Sequence, residues 1–259
     1  MKQQNRQVFD ALPLLVVSIL MLFLSSCLTS ESKAEEYYAL GNAYFELQKY
    51  AEAENWFNKA KFNKTTKNAS LYYLGRIAYE TSRYKEAAAC FEEIIRTDGE
   101  NITALKALAY TCIKLEELDK AVFYYQKVLE LVPESYDEGY NYALVLMALG
   151  RAEEAESILV KYNNTESPEA LLVLARSLKQ QGRVEAADAY SASLAKEDNP
   201  NVRSEYAAYL MEAGHPEKAL EEYRMALENN NMSEEKKEEI RTIIEQLETD
   251  GKSGSETQQ

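Results

Sequence analysis

One histidine, His215, is all that 259 residues offer, so a histidine-dependent nucleophile has one possible base and zinc lacks its usual partner. That histidine lies in Gly214-His215-Pro216, a turn between two helical stretches. Glycine-rich phosphate loops are missing, and no cysteine pair stands at metal-ligand spacing. Only 9 glycines and 5 prolines interrupt the chain and β-branched runs are scarce, which excludes a sheet protein; 46% hydrophobic residues exclude a wholly disordered one. Basic residues are also in deficit: 29 Lys and Arg stand against 43 Asp and Glu, for a net charge of −14. Phosphate binding needs clustered Lys and Arg, so nucleic acid and anionic head groups are disfavoured as partners. The abundant carboxylates read as solvated helix faces, because a catalytic pair needs a closed pocket to shift its pKa values. No catalytic residue, metal or cofactor is therefore expected, and the chain is not read as an enzyme.

Long apolar runs are limited to one. Residues 11–24, ALPLLVVSILMLFL, follow Lys2 and Arg6 and are too short to span a bilayer comfortably, which is the pattern of an export signal. The run ends in Leu24-Ser25-Ser26-Cys27, which resembles the bacterial lipobox. That resemblance implies cleavage before Cys27 and acylation (palmitate or a similar chain) of its thiol, leaving the mature protein lipid-anchored to a membrane on the extracytoplasmic side, periplasmic or at the cell surface. Residues 1–26 are then a lipoprotein signal peptide and 27–33 a tether. Removal of the signal leaves the remainder one charge more acidic than the −14 of the whole, since Lys2, Arg6 and Asp10 go with it. Of the remaining cysteines, Cys90 and Cys112 fall at helix positions expected to be buried; reduced core thiols are favoured over a disulfide, which an oxidising compartment would permit.

Self-similarity is the strongest signal. Leu40-Gly41, Ala53 and Phe57 recur 34 residues on as Leu74-Gly75, Ala87 and Phe91, and again as Leu108-Ala109, Ala121 and Tyr125. A fourth copy follows with Tyr142-Ala143, Ala155 and Leu159; the step then shortens to 32, giving Leu174-Ala175 with Ala187 and Tyr206-Ala207 with Ala219. Small residues at these sites let paired helices approach closely. Gly150, Gly182 and Gly214 stand where a first helix must end in a left-handed cap. Ser233 is placed to cap a last helix whose Ile240, Ile243, Ile244 and Leu247 share a face.

This unit resembles the tetratricopeptide repeat (TPR). The first copy carries Tyr37, Leu40, Gly41, Tyr44, Ala53, Phe57 and Ala60 at matching positions, and the third adds Pro133. The match weakens later, where Gly139 and Arg203 replace a large apolar residue and Ser191 an aromatic. The resemblance implies an all-α, right-handed α-solenoid of six helix hairpins over 34–231, with a capping helix at 232–249 and a disordered tail at 250–259.

It also implies that first helices line a concave groove, on which the family's positions place Tyr38, Asn42, Phe45, Tyr72, Arg76, Tyr79, Lys106, Tyr110, Lys114, Tyr140, Leu144, Met147, Leu172, Arg176 and Lys179. Tyrosine and arginine are common binding anchors, though some of these rings have the alternative of packing between repeats. Across copies two to five the groove holds Arg76, Lys106, Lys114, Arg176 and Lys179 against Glu80, Asp137 and Glu169, a local excess of cations. The Lys, Asn and Arg clamp by which some TPR domains hold a chaperone tail is largely missing. The expected role is a membrane-anchored scaffold for protein-protein interactions in the bacterial cell envelope, its partner another envelope or transporter protein. The alternatives are a small-molecule or transporter-accessory binder, and a self-assembling oligomer of this chain with itself.

Overall fold

The computed structural model describes residues 31–162, 167–229 and 231–256. The signal run and Cys27 lie outside the described residues. Among these residues the structure is helical: α1 (31–46, from the first described residue), α2 (Tyr50–Ala60), α3 (Lys67–Glu80), α4 (Tyr84–Thr97), α5 (Ile102–Lys114), α6 (Leu118–Leu131), α7 (Tyr136–Ala148), α8 (Ala152–Lys161), α9 (Pro168–Gln180), α10 (Ala186–Lys196), α11 (Pro200–Glu212), α12 (Pro216–Glu228) and α13 (Glu234–Glu256). They form two units, one ending at Glu117 and the other beginning at Leu118, so the division falls inside the third copy, between α5 and α6.

In the first unit each small residue has a specific reason. A Cβ added at Gly41 would lie 2.7 Å from the Phe57 ring, and one at Gly75 2.6 Å from the Phe91 ring, so the helix backbone rests directly on the aromatic of its hairpin partner. Ala53 and Ala87, one turn before these rings on the same helices, are fully buried. Leu105, Leu108 and Cys112 are buried on α5, whose N-terminus is capped by Asn101, its side chain accepting from the Ala104 N–H. Cys90 and Cys112 are both free thiols, and burial pushes the Cys90 thiol above its ordinary pKa, away from the reactive thiolate.

The second unit repeats this logic with one slip. The sequence step put Ala187 and Ser191 in the core of the fifth copy, whereas the structure buries Ala186 and Tyr190 completely and leaves Ser191 exposed. Residues 181–185 lie between α9 and α10, against three residues in the other hairpins, and α10 begins at Ala186 with its inward face one residue earlier than the repeat step predicts. The aromatic missing from the sequence pattern is therefore Tyr190, which stacks against Tyr206 at 5.4 Å and meets Tyr209 at a tilt at 5.7 Å. Arg203, at an expected apolar site, is tolerated because Asp198 and Glu222 hold its guanidinium at 2.5 and 2.6 Å. Pro168, Pro200 and Pro216 each begin a helix, where a missing N–H leaves nothing unpaired. The Ser233 Oγ accepts from the Lys236 N–H at 3.4 Å, and Ile240, Ile243, Ile244 and Leu247 cover the core of this unit against Tyr223 and Ala226. α13 runs on to Glu256, through residues that the sequence reading gave to the tail, since each residue added to an existing helix closes another backbone hydrogen bond.

Every hairpin turn uses one left-handed residue. Gly150, Gly182 and Gly214 have φ of 73°, 68° and 77°, and Gln48, Ser82 and Glu116 take the same place in the earlier copies with φ of 56°, 61° and 60°. The flanking bonds match too: Lys49 N–H donates to Tyr44 C=O at 2.9 Å, as Arg151 N–H does to Leu146 C=O. A side chain makes this conformation unfavourable, so Gln48→Gly and Ser82→Gly are each expected to stabilise the chain by about 0.5 to 1 kcal/mol, after the extra freedom of glycine in the unfolded state is deducted. Gly150→Ala, the reverse kind of change, is expected to cost about 0.5 to 1 kcal/mol on the same reckoning. Urea unfolding followed by helicity checks both signs.

Candidate functional site

Within the first unit, α3 places Tyr72, Arg76 and Tyr79 on one face through spacings of four and three residues, and α5 does the same with Ile102, Lys106 and Tyr110. These side chains line one cleft of about 380 Å³, together with Glu80, Thr103, Ala107 and Phe91, the last contributed by α4 and only 1% exposed. Five of the residues that the sequence placed on a groove wall thus meet in a single concavity of the size that holds a few side chains. Two cations and one carboxylate, Glu80, face it.

Arg76 is the electrostatic centre. Its guanidinium carbon sits 4.7 Å over the Phe45 ring, 5.8 Å from Tyr73 and 5.9 Å from Tyr72. Among the described residues no carboxylate reaches it within ion-pair distance, so a half-buried cation is balanced by ring faces alone. Tyr79 is half-buried against Tyr84, and burial first, then the neighbouring Tyr84 and Glu80, push its phenol above the ordinary range, leaving a neutral hydroxyl as donor and acceptor.

The remaining predicted positions divide between packing and open surface. Phe45 is 8% exposed and Tyr38 lies edge-on to Tyr73 at 6.1 Å, so both belong largely to the aromatic core around Phe57. Asn42 stands beside them, its Oδ1 shielded from solvent and accepting no hydrogen bond. Lys114 is exposed outside the cleft lining. In the second unit, Leu144 is 37% exposed while Tyr140, Met147 and Leu172 are half-buried.

The cations of α9 differ from those of the cleft. Arg176 pairs with Glu205 at 2.7 Å and Lys179 with Glu212 at 2.9 Å, both carboxylates coming from α11. Burial acts to raise the Glu205 pKa, but hydrogen bonds from Arg176 and from the Tyr190 hydroxyl outweigh it and hold the carboxylate below the ordinary range. The excess of positive charge expected along copies two to five is thus reduced in the second unit to internal ion pairs. Sequence reasoning missed Phe91, Ile102, Thr103 and Ala107 as cleft residues; the signal available was that Ile102 precedes Lys106 by four residues on the same face.

Comparison with known proteins agrees with this architecture. Models of the tetratricopeptide repeat match residues 34–61 and 72–136, and the model of anaphase-promoting complex, cyclosome, subunit 3, matches residues 116–193. The chain is an all-α tetratricopeptide-repeat solenoid. A TPR protein from Parabacteroides merdae ATCC 43184 superposes with a TM-score of 0.66 at 18% identity, over 84% of this chain and 93% of its own. YrrB, described as a TPR protein with an unusual peptide-binding site, gives 0.60 at 19% identity, over 70% of this chain and 94% of its own. MamA from Desulfovibrio magneticus RS-1 gives 0.58 at 17%, over 62% and 94%. At these identities the likeness concerns the fold.

An uncharacterized lipoprotein of Treponema pallidum (strain Nichols) is 28% identical over 116 residues, 45% of this chain and 59% of the relative, so the TPR chain spans about three fifths of that protein's length. A TPR solenoid supports protein-protein interaction or self-association, and such folds are in general scaffolds without catalysis of their own. No helix among the described residues is long and apolar enough to cross a membrane.

Proposed function

We propose that this protein is a membrane-anchored TPR scaffold of the bacterial cell envelope, holding a segment of another envelope protein in the cleft between α3 and α5. The observation that carries the reading is Arg76, a half-buried cation framed by aromatic rings with no carboxylate within ion-pair distance among the described residues, beside a largely aromatic cleft that has room for side chains. A segment with an acidic residue next to apolar ones supplies what is missing there. Tyr72, Tyr79 and Tyr110 add large contact area at low entropy cost. The concave positions of the second unit are assigned a lesser share, because Arg176 and Lys179 are already paired.

Replacing Tyr79, Lys106 and Tyr110 together by alanine is expected to reduce capture of the native partner at least tenfold, in the range of one or two binding anchors, while helicity stays near that of the parent. Capture is measured by crosslinking in the native membrane followed by affinity purification and mass spectrometry. Undiminished capture by the triple variant moves the binding surface away from this cleft.

Anchoring through acyl chains on Cys27 is the second half of the proposal. Support comes from the lipobox-like Leu24-Ser25-Ser26-Cys27 and from the relative named as a lipoprotein. Cys27→Ala is expected to abolish incorporation of labelled fatty acid and leave the solenoid folded, because Cys27 precedes every repeat. Label retained in that variant refutes the anchor.

A further inference from the structure

The strongly acidic average conceals a stretch of opposite character. From Asn55 to Tyr79 the chain has no Asp or Glu, yet it carries Lys59, Lys61, Lys64, Lys67 and Arg76, in a protein with 43 carboxylates. All four lysines lie in or directly beside the α2–α3 turn. Lys67 is paired with Glu93 at 2.9 Å, but Lys59, Lys61 and Lys64 have no carboxylate within ion-pair distance among the described residues. Instead, the Lys59 ammonium lies 4.1 Å over the Trp56 ring and that of Lys61 lies 5.8 Å from the Phe62 ring. Phe62, in the turn itself, is 86% exposed, more than any other large apolar side chain in the described structure.

Tertiary structure adds what the sequence stretch lacks. The start of α1 packs beside this turn, so that Lys33, Ala34 and Tyr37 share with Lys59, Phe62 and Asn63 a shallow hollow of about 210 Å³ that no carboxylate lines. Lys33 is six residues from Cys27, and a fully extended chain at about 3.5 Å per residue keeps the two within roughly 20 Å. An acyl group on Cys27 would hold this end of the first unit against the bilayer surface.

We propose that the α2–α3 turn and the start of α1 form a docking face for an anionic lipid surface, with Lys33, Lys59, Lys61 and Lys64 against head-group phosphates and Phe62 in the interfacial layer. The proposal rests on the acyl anchor at Cys27 and supplies a second contact beside it. Basic side chains grouped around an exposed aromatic are what an anionic interface attracts. The net charge of −14 does not oppose this, because screening confines each charge to a Debye length of about 8 to 10 Å, and Lys33, Lys59, Lys61 and Lys64 outnumber Glu31, Glu35 and Glu36 at the start of α1, none of which lines the hollow.

Trp56, the only tryptophan in the chain, stands beside Lys59 and reports on the face directly. The lipidated full chain is reconstituted on phosphatidylcholine vesicles with and without phosphatidylglycerol, each including brominated lipid. Quenching of Trp56 is expected to be stronger with the anionic lipid, to fall with salt, and to drop to the neutral-vesicle level in the variant Lys61→Glu, Phe62→Ser, Lys64→Glu, which changes two exposed positions and the half-buried Lys61 and keeps Lys59 beside Trp56. Equal quenching on neutral and anionic vesicles overturns the proposal. If mass spectrometry finds no acyl group, the anchor reading fails by itself, and the same comparison with vesicles added to the unlipidated chain still decides docking. If the triple variant loses a protein partner while Trp56 quenching is unchanged, the face belongs to that protein and the lipid assignment is wrong.

Discussion

Phe91→Ala is expected to destabilise the protein by about 3 to 5 kcal/mol, the usual range for removing a fully buried phenylalanine that its surroundings cannot replace. Phe91 is 1% exposed, its ring contacts Tyr72 at a centroid distance of 6.0 Å, and the Gly75 backbone lies against its edge. Glycine has no side chain with which to fill the space, so the cavity stays largely open. The loss should appear as a lower urea midpoint for the full chain, and the first unit should lose protection from hydrogen exchange before the second, because a repeat array need not unfold as one body. The cleft loses a lining residue at the same time, so partner capture should weaken even at temperatures where the variant remains folded. A change below about 1 kcal/mol would mean that the ring is not held against α3 as described.

Gly75→Leu makes the opposite error and should cost about 3 kcal/mol, the upper part of the range for overpacking. A Cβ alone would stand 2.6 and 2.7 Å from two carbons of the Phe91 ring, closer than such atoms approach, and leucine adds three more carbons. Replacing a mid-helix glycine returns roughly 1 kcal/mol of helix propensity, which the clash must exceed for the predicted sign to hold. The two variants are coupled because they remove and add volume at one place. Combined, Gly75→Leu and Phe91→Ala should cost less than the sum of the two, with a discrepancy of about 1 kcal/mol or more in a double-mutant cycle. Strict additivity would separate Gly75 from Phe91 and undo the packing argument for the whole repeat. Gly41 against Phe57 provides an independent copy of the same test.

Much of this architecture was legible in the residues before any coordinates. A 34-residue step with small residues at Gly41, Gly75, Ala109 and Ala143 states which helix faces must meet, and each of these positions is buried. Gly150, Gly182 and Gly214 were readable as left-handed caps because glycine is the residue that takes that conformation freely; Gln48, Ser82 and Glu116 occupy equivalent turns and give no such compositional sign. Five cleft residues were likewise available from their repeat positions, since a helix of fixed pitch determines which side chains share a face.

What the sequence determined by itself was therefore periodic and local: helix nearly throughout, the repeat length, and the inward face of each first helix, all of which follow from hydrogen-bond geometry and side-chain spacing within a few turns. Tertiary structure decided three further matters. The fifth copy buries Ala186 and Tyr190, one residue earlier than the repeat step predicts, because residues 181–185 stay outside the helices and α10 starts only at Ala186; one residue of phase turns the inward face by about 100°, and composition does not say where a helix starts. Among the described residues Arg76 has no carboxylate within ion-pair distance while Arg176 and Lys179 do, because Glu205 and Glu212 are brought to the latter by helices packed side by side, 29 and 33 residues away along the chain. Lys33 joins Lys59 and Phe62 in one hollow for the same reason: pairwise charge and contact depend on distances in space, which a linear spacing fixes only inside one helix.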